Sequence, residues 1–259
     1  MRRITNLAWP DTPYGATDHL VQRKKRLLTG LALLWADSNG GPVLMGAAAV
    51  LVPVHRTKTT YLAASPLHIG YLALLAEHED DTRPLVKALD ELLVQARRDA
   101  PALAWHSAAD DQHVLHTVRH GGAGVTGITA AWKARKTPPK GIARCVDTAL
   151  DIGDDALLVD AARHHGLPLD AALIPHQDQS HVQQRYQVMT AAHGDPAALR
   201  AVTGSIAAGA LAQAYTVALL GGRHLHLLDW VEPPTAYASL ERAAWDELPP
   251  GLFRTTAAT

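Results

Sequence analysis

The sequence predicts an α/β protein: a mixed sheet of three antiparallel strands, then alternating helix and strand, covered by helices. Three observations carry this. Three short apolar or β-rich runs lie close together between residues 31 and 63, separated by turn signals. From Asp81 to Arg98 the hydrophobic period becomes that of a helix. After that, short strand-like and helical stretches alternate. Consecutive strands followed by such alternation describe a mixed sheet with helices on its faces.

The elements follow in order. Residues 1–25 read as a polar lead-in ending in Arg23-Lys24-Lys25-Arg26, either a solvated helix end or a phosphate-contacting patch. Leu31-Ala32-Leu33-Leu34-Trp35 stops in Asp37-Ser38-Asn39-Gly40-Gly41, a buried strand and its turn. Val43 to Val52 is the second strand, closed by Pro53. Thr59-Thr60-Tyr61-Leu62-Ala63 is rich in β-formers and reads as the third. In the helix from Asp81 to Arg98, Leu85, Ala88, Leu89, Leu92, Leu93 and Ala96 recur every three or four residues. Acids open it and Arg97-Arg98 close it, as the helix dipole favours. Ala102-Leu103-Ala104-Trp105 is a fourth strand, Asp110 to Val118 a short helix ended by Gly121-Gly122, and Gly141 to Val146 a fifth strand. Asp154 to His165 is a helix with Gly166 beyond its end. Ser180 to Ala192 and Pro196 to Leu220 are helical, and the tail from Pro233 holds one more short helix.

Composition narrows the function. The chain has 259 residues, 47% apolar and 19% charged, so it can bury a large core and is not a disordered polypeptide. The formal net charge of −1 is not the footprint of a strong, non-specific DNA binder, although a local basic patch remains open. One cysteine, Cys145, excludes an intramolecular disulfide and a cysteine-based zinc cluster, and points to a cytoplasmic protein. Met1 to Pro10 has two arginines but no apolar core behind them, unlike a signal peptide. Thr203 to Gly222 has 20 residues without a charge, but is mostly Ala and Gly and reads as a buried helix rather than a membrane span.

Chemical motifs are sparse. Fifteen histidines include no His-Glu-x-x-His. His164-His165 face different ways on a helix, and His224 and His226 share one face of a strand-like run without a third partner. Gly121-Gly122-Ala123-Gly124 lacks the lysine of a phosphate loop, and no Gly-x-Ser-x-Gly elbow occurs. Acids at strand ends are more telling. Asp37 ends the first strand, Asp110 and Asp111 open the helix after the fourth, and Asp147 ends the fifth. Strand ends on one edge of a sheet converge, so carboxylates there can share divalent cations. Taken singly, each also reads as a helix cap or turn residue.

Several stretches then follow a known order. Trp35-Ala36-Asp37-Ser38-Asn39-Gly40 ends the first strand, and Met45-Gly46-Ala47-Ala48-Ala49-Val50 lies in the second. Trp105-His106-Ser107-Ala108-Ala109-Asp110-Asp111 leads from the fourth strand into a helix. Cys145-Val146-Asp147-Thr148 ends the fifth strand, and Gly166-Leu167-Pro168 ends the helix behind it. Ala208-Gly209-Ala210-Leu211-Ala212-Gln213-Ala214 lies in the last long helix. Over roughly Leu28 to Leu220, this resembles the 3′–5′ exonucleases of the DEDD class, in the ribonuclease H-like superfamily, with proofreading exonuclease subunits and ribonuclease T.

In that family the first strand ends in Asp-x-Glu-Thr-Thr-Gly, which sets Trp35 at the first carboxylate and Asp37 at the second. The pattern His-Asn-x-x-Phe-Asp sets Asp111 on the catalytic aspartate. The pattern His-x-Ala-Leu-x-Asp-Ala sets Ala208 on the general-base histidine and Gln213 on the last metal-binding aspartate. The resemblance therefore implies a ribonuclease H-like domain over residues 28–222, with extensions 1–27 and 223–259. It leaves Asp37 and Asp111 as catalytic and metal-binding positions, with Mg²⁺ or Mn²⁺ weakly bound or absent.

The implied function is an exonuclease-like protein that has lost catalysis and binds single-stranded DNA or RNA, or a protein partner. The Lys133-to-Lys140 loop offers Lys133, Arg135, Lys136 and Lys140 for phosphates and Trp132 for stacking, or is a solvated loop. Two alternatives stay open. One is an active metal-dependent exonuclease using displaced carboxylates among Asp110, Asp147 and Asp151, with His106 as base. The other is an unrelated α/β interaction protein.

Overall fold

A computed structural model describes residues 1–7, 25–62, 69–117, 122–135, 137, 140, 142–152, 157–167, 179–192 and 195–232. Its frame is a long hairpin, β2 (Lys25–Ser38) and β3 (Gly41–His55), preceded by a short strand β1 (Arg2–Thr5). The hairpin turns at Gly41, whose φ of +115° suits glycine and strains other residues. After β4 (Thr60–Leu62) and β5 (Gly70–Leu75) come α1 (Thr82–Asp99), β6 (Ala102–Trp105) and α2 (Ala108–Thr117). Then follow α3 (Ala123–Lys133), β7 (Arg144–Asp147), α4 (Thr148–Asp151), α5 (Leu158–His164), α6 (Gln179–Ala191), α7 (Pro196–His224) and β8 (Leu228–Trp230).

The main sheet has six strands in the order β1-β5-β3-β2-β6-β7. β1, β5, β3 and β2 pair antiparallel in turn. β2–β6 and β6–β7 pair parallel. A mixed α/β architecture is therefore present, with four antiparallel strands where three were expected and then alternating helix and strand. Residues Val43 to Val52 of β3 are all buried, so both faces of the sheet are covered.

The third strand of the meander is a correction. Thr60–Leu62 is a strand, but it pairs parallel with β8 in a separate two-stranded sheet. β5 holds the expected place in the main sheet, and all six of its residues are buried. The physical reason is burial on both faces. Gly70-Tyr71-Leu72-Ala73-Leu74-Leu75 is a continuous apolar run, whereas Tyr61 of β4 is 73% exposed. Ala63 lies outside the described residues.

The polar lead-in also contains structure. Arg2–Thr5 is the edge strand on β5, and Ile4 is fully buried there. Asn6 extends the ladder with its side chain: Nδ2 donates to the Ile69 carbonyl at 2.9 Å and Oδ1 accepts from the Tyr71 N–H at 2.8 Å. Helix α3 is a second addition, because its glycines read as breakers in sequence. They serve close packing instead. A Cβ on Gly124 would meet the Asp90 carbonyl oxygen of α1 at 2.1 Å. The Asp90 carboxylate, reaching across from α1, accepts from the N–H groups of Gly122 at 2.9 Å and Val125 at 2.7 Å, capping α3.

Helix α7 packs on β2, β3, β5 and β6. Asp195 caps it by accepting from the N–H groups of Ala197 and Ala198, and Pro196 is its first residue. Its small residues let backbone touch backbone: a Cβ on Gly30 of β2 would sit 2.0 Å from the Ala214 carbonyl oxygen. Among the described residues α7 alone is long and apolar enough to span a membrane, and most of that apolar stretch is buried within the protein. At the end of α5, Gly166 takes φ +71°. The Leu167 N–H then closes onto the Ala162 carbonyl at 2.9 Å, as in a Schellman end.

Candidate functional site

β2, β6 and β7 run parallel, so their C-terminal ends share one edge of the sheet. β2 continues to Ser38, past its last β6 partner at Leu31. The chain leaving β6 bends there through Ser107, held at φ +54°, and enters α2. A non-glycine residue in the left-handed region is uncommon and marks an imposed turn.

Asp147, at the end of β7, imposes that turn. Its carboxylate is buried and accepts from the N–H groups of Ser107 at 3.0 Å, Ala108 at 2.9 Å and Ala149 at 3.1 Å. Its own N–H donates to Asp151 Oδ2 at 2.9 Å. Burial pushes the Asp147 carboxyl above the usual range, and the backbone N–H groups pull the other way. One carboxylate thus ties β7, α4 and the start of α2 together.

Asp111 lies in the first turn of α2. Its two oxygens accept from two indoles: Oδ1 from Trp35 Nε1 at 2.9 Å, and Oδ2 from Trp105 Nε1 at 2.7 Å. Trp35 comes from β2, just after the irregularity between Leu34 and Trp35, and Trp105 from the end of β6. Burial pushes the Asp111 carboxyl up to about 7, with help from the Asp110 and Asp147 charges and against the two indole N–H groups. Beside it, burial pushes the His106 imidazole down to about 4. His106 Nδ1 lies 3.0 Å from Thr148 Oγ1.

These groups open onto a cavity of about 230 Å³. His106, Ser107, Asp111 and Gln213 supply its polar wall, and Leu31, Leu33, Leu157 and Val217 its apolar wall. Near pH 7 it combines an imidazole without charge, a carboxyl group near its midpoint and an amide. Such a surface can hydrogen-bond a planar polar group while apolar side chains enclose it.

The other sequence-derived residues fall elsewhere. Asp37 is exposed at the end of β2. Its N–H donates to Gln183 Oε1 and its carbonyl accepts from Gln183 Nε2, both at 2.8 Å, which fastens β2 to α6. It does not line the cavity with Asp111. Ala208 is buried in α7 and Gln213 reaches the cavity wall. Asp110 is exposed, and Asp151 pairs with Arg135 at 3.5 Å. Among the described residues, no group of three or more His, Cys, Asp or Glu side chains is placed to hold a metal ion.

Trp132 is a correction. It is buried, with its ring edge-on to Trp105 at 5.8 Å and 88°, so its faces are not open to a stacking base. Its apolar bulk closes the core between α3 and β6 rather than decorating the basic loop. Lys133 and Lys140 are exposed, Arg135 is engaged by Asp151, and Lys136 lies outside the described residues. So do Arg23, Lys24 and the side chain of Lys25, while Arg26 is exposed. His224 and His226 are also corrected: they stand at the end of α7 and in the turn after it, not on a strand.

Sequence reasoning missed Trp105 as a partner of Asp111, and Ser107, Leu157 and Val217 as parts of the site. The Trp35–Asp111 pairing spans 76 residues, and no periodicity links them. Trp105 is six residues before Asp111, and a strand-end tryptophan just before a helix-opening acid was a signal that could have been read. No family model matches the chain, and no curated protein or solved structure matches it.

Proposed function

We propose that this is an exonuclease-like protein of ribonuclease H-like fold that has lost metal-dependent catalysis and binds single-stranded nucleic acid at the strand-end cavity. The strand order supports the fold reading. Beside the extra edge strand β1, the antiparallel strands β2, β3 and β5 are followed by the parallel strands β6 and β7, and an aspartate lies in the first turn of the helix after β6, as in the family the sequence resembles.

The observation that carries the loss of catalysis is Asp111. In the resemblance it is a metal-binding carboxylate, yet both its oxygens already accept indole N–H groups. A divalent cation needs several oxygen ligands at about 2.0–2.6 Å. The positions matched to the partner ligands carry Trp35 and Gln213, which bring no charge, and Ala208 cannot take a proton. Loss of a general base alone costs about 10²–10⁴ in rate. These residues do not fit a two-metal centre. The alternative built on Asp147 and Asp151 is weaker, because Asp147 is occupied by three backbone N–H groups and Asp151 by Arg135.

The binding half of the reading rests on the cavity at the converging strand ends, with exposed Lys133 and Lys140 as candidate phosphate contacts. The test is a 3′-labelled single-stranded oligonucleotide incubated with Mg²⁺ or Mn²⁺, beside an Asp111→Ala variant. The expected outcome is no release of label, with retardation that weakens when Lys133 and Lys140 are neutralised. Release by wild type and not by the variant would sink the proposal. Neither release nor retardation would turn the reading to a protein partner.

A further inference from the structure

The strand-end cavity has a polar wall without a cation. No Lys or Arg is among its described lining residues. Burial pushes the His106 imidazole down to about 4, so it too is uncharged near pH 7. Asp111 is the one acid among them. A phosphate placed there loses its water, meets no positive charge and faces a carboxyl group, which is a costly arrangement. The remaining polar groups are neutral. Gln213 of α7 is half-buried, and its amide has no hydrogen-bond partner among the described residues; the same holds for the Ser107 hydroxyl. A strand edge adds more. Asp37 directs both its N–H and its C=O to Gln183, and the Leu44 N–H of β3 goes to Thr82 Oγ1 rather than to Trp35. Both groups of one residue in an antiparallel pair point the same way, so Trp35 and Asp37 turn theirs away from β3. The extra residue at the irregularity is Met45 of β3, so the alternation along β2 is unbroken and Leu33 turns the same way. The last β6 pair is at Leu31, which leaves the Leu33 backbone at the cavity with no described strand beside it.

We propose that the cavity takes an unstacked nucleobase, and that the Gln213 amide and the Asp111 carboxyl select a base with an exocyclic amine beside a ring nitrogen, cytosine above thymine. The inference rests on the function proposed above and names which part of the strand enters its cavity. Size points to one ring. The cavity holds about 230 Å³, below the range of about 300–1,000 Å³ that takes a drug-sized ligand. Apolar side chains enclose the ring, and Leu157, 56% exposed, marks where the cavity opens to solvent. An amide presents one donor and one acceptor side by side. The cytosine edge matches it, because N4 donates and N3 accepts. The second hydrogen of N4 suits a carboxylate acceptor such as Asp111. Thymine has the same ring but presents O4 in place of N4, an acceptor towards a carboxylate. The phosphates then stay outside, with exposed Lys133 and Lys140 as their candidate contacts. Reading the polar edge of an unstacked base is an ordinary way to recognise a single strand.

The test is fluorescence anisotropy of three labelled 15-mers with the full chain, at pH 7.5 and fixed ionic strength: deoxycytidine, deoxythymidine and a backbone of abasic sites. Wild type is expected to bind the deoxycytidine 15-mer about tenfold tighter than the deoxythymidine one, as one well-made paired contact to a base edge allows. The abasic strand should bind more weakly than either. Gln213→Leu, which keeps the bulk and removes the amide, should bind the two base-bearing strands alike. Asp111→Asn, which sets a donor beside the acceptor, should narrow the preference. Equal wild-type binding of deoxycytidine and deoxythymidine overturns the inference, and so does a preference that Gln213→Leu keeps in full. An abasic strand bound as tightly as deoxycytidine also overturns it, because phosphates alone then hold the strand. All three results leave the proposed function standing. No binding of any strand overturns both.

Discussion

Two carboxylates stand at neighbouring strand ends and are held in different ways. Asp147 is enclosed by backbone: three N–H groups from two helix starts point at it, and no solvent reaches it. Asp111, one turn into α2, is held by two side chains and faces a cavity. Backbone donors come with the fold and cannot be withdrawn without unfolding it. Indole donors belong to two tryptophans that could have been other residues. The first arrangement makes a joint. The second leaves a carboxyl with a raised proton affinity at the wall of a cavity.

The largest expected effect is at the joint. Asp147→Ala leaves three N–H groups, two of them buried, without an acceptor and removes the cap of α4, at a cost of about 3–5 kcal/mol. Urea unfolding is the measurement, and a loss below about 1 kcal/mol would erase the contrast between the two sites.

The next effect separates Asp111 from its neighbour His106 by pH. Asp111 keeps its proton to about 7 when folded, against 3.8 for an ordinary aspartate. Its stabilising contribution is complete below about pH 4 and is lost as pH rises through 7. His106 behaves oppositely. Its folded value near 4 lies below the ordinary 6.5, so its contribution is complete above about pH 6.5 and is lost as pH falls through 4. Each amounts to a few kcal/mol, at about 1.4 kcal/mol per tenfold change in proton affinity. The stability of wild type relative to Asp111→Asn should therefore fall as pH rises from 4 to 7. Relative to His106→Gln it should rise over about 4 to 6.5. Unfolding free energies across that range check both signs, and parallel profiles for wild type and Asp111→Asn would contradict the first.

The smallest effect sharpens the role of the indoles. Trp35→Phe removes one donor to Asp111, costs about 1–2 kcal/mol, and raises the carboxyl further. Intrinsic tryptophan fluorescence followed against pH should show a transition near 7 in wild type. The variant should shift that transition upward. A transition that stays in place would mean that Trp35 packs beside Asp111 without tuning it.

Much of the frame was legible because it rests on local pattern. The β2–β3 hairpin announced itself by Asn39-Gly40-Gly41 between apolar runs. Helix α1 followed from its three- and four-residue period, with Leu85, Leu89, Leu92 and Leu93 buried as that period requires. Helix α7 was legible over Pro196 to Leu220, with Thr203 to Gly222 an uncharged stretch of mostly Ala and Gly that suits a buried helix. Asp111 could be marked as a site residue because it opens a helix just after a strand.

What the sequence left undecided depends on pairing at a distance. Gly70–Leu75 draws no strand reading, and Thr59 to Ala63 reads as the third strand in its place. Only the need to fill a central place buried on both faces selects the first for the main sheet. Trp132 looked like part of a basic loop until α3 folded its ring against Trp105. Chain order alone determined that a mixed sheet would bring acids to one edge. Tertiary structure decided which acid became a joint and which an open wall, because Trp35 reaches Asp111, and Ser107 and Ala108 reach Asp147, from segments tens of residues away.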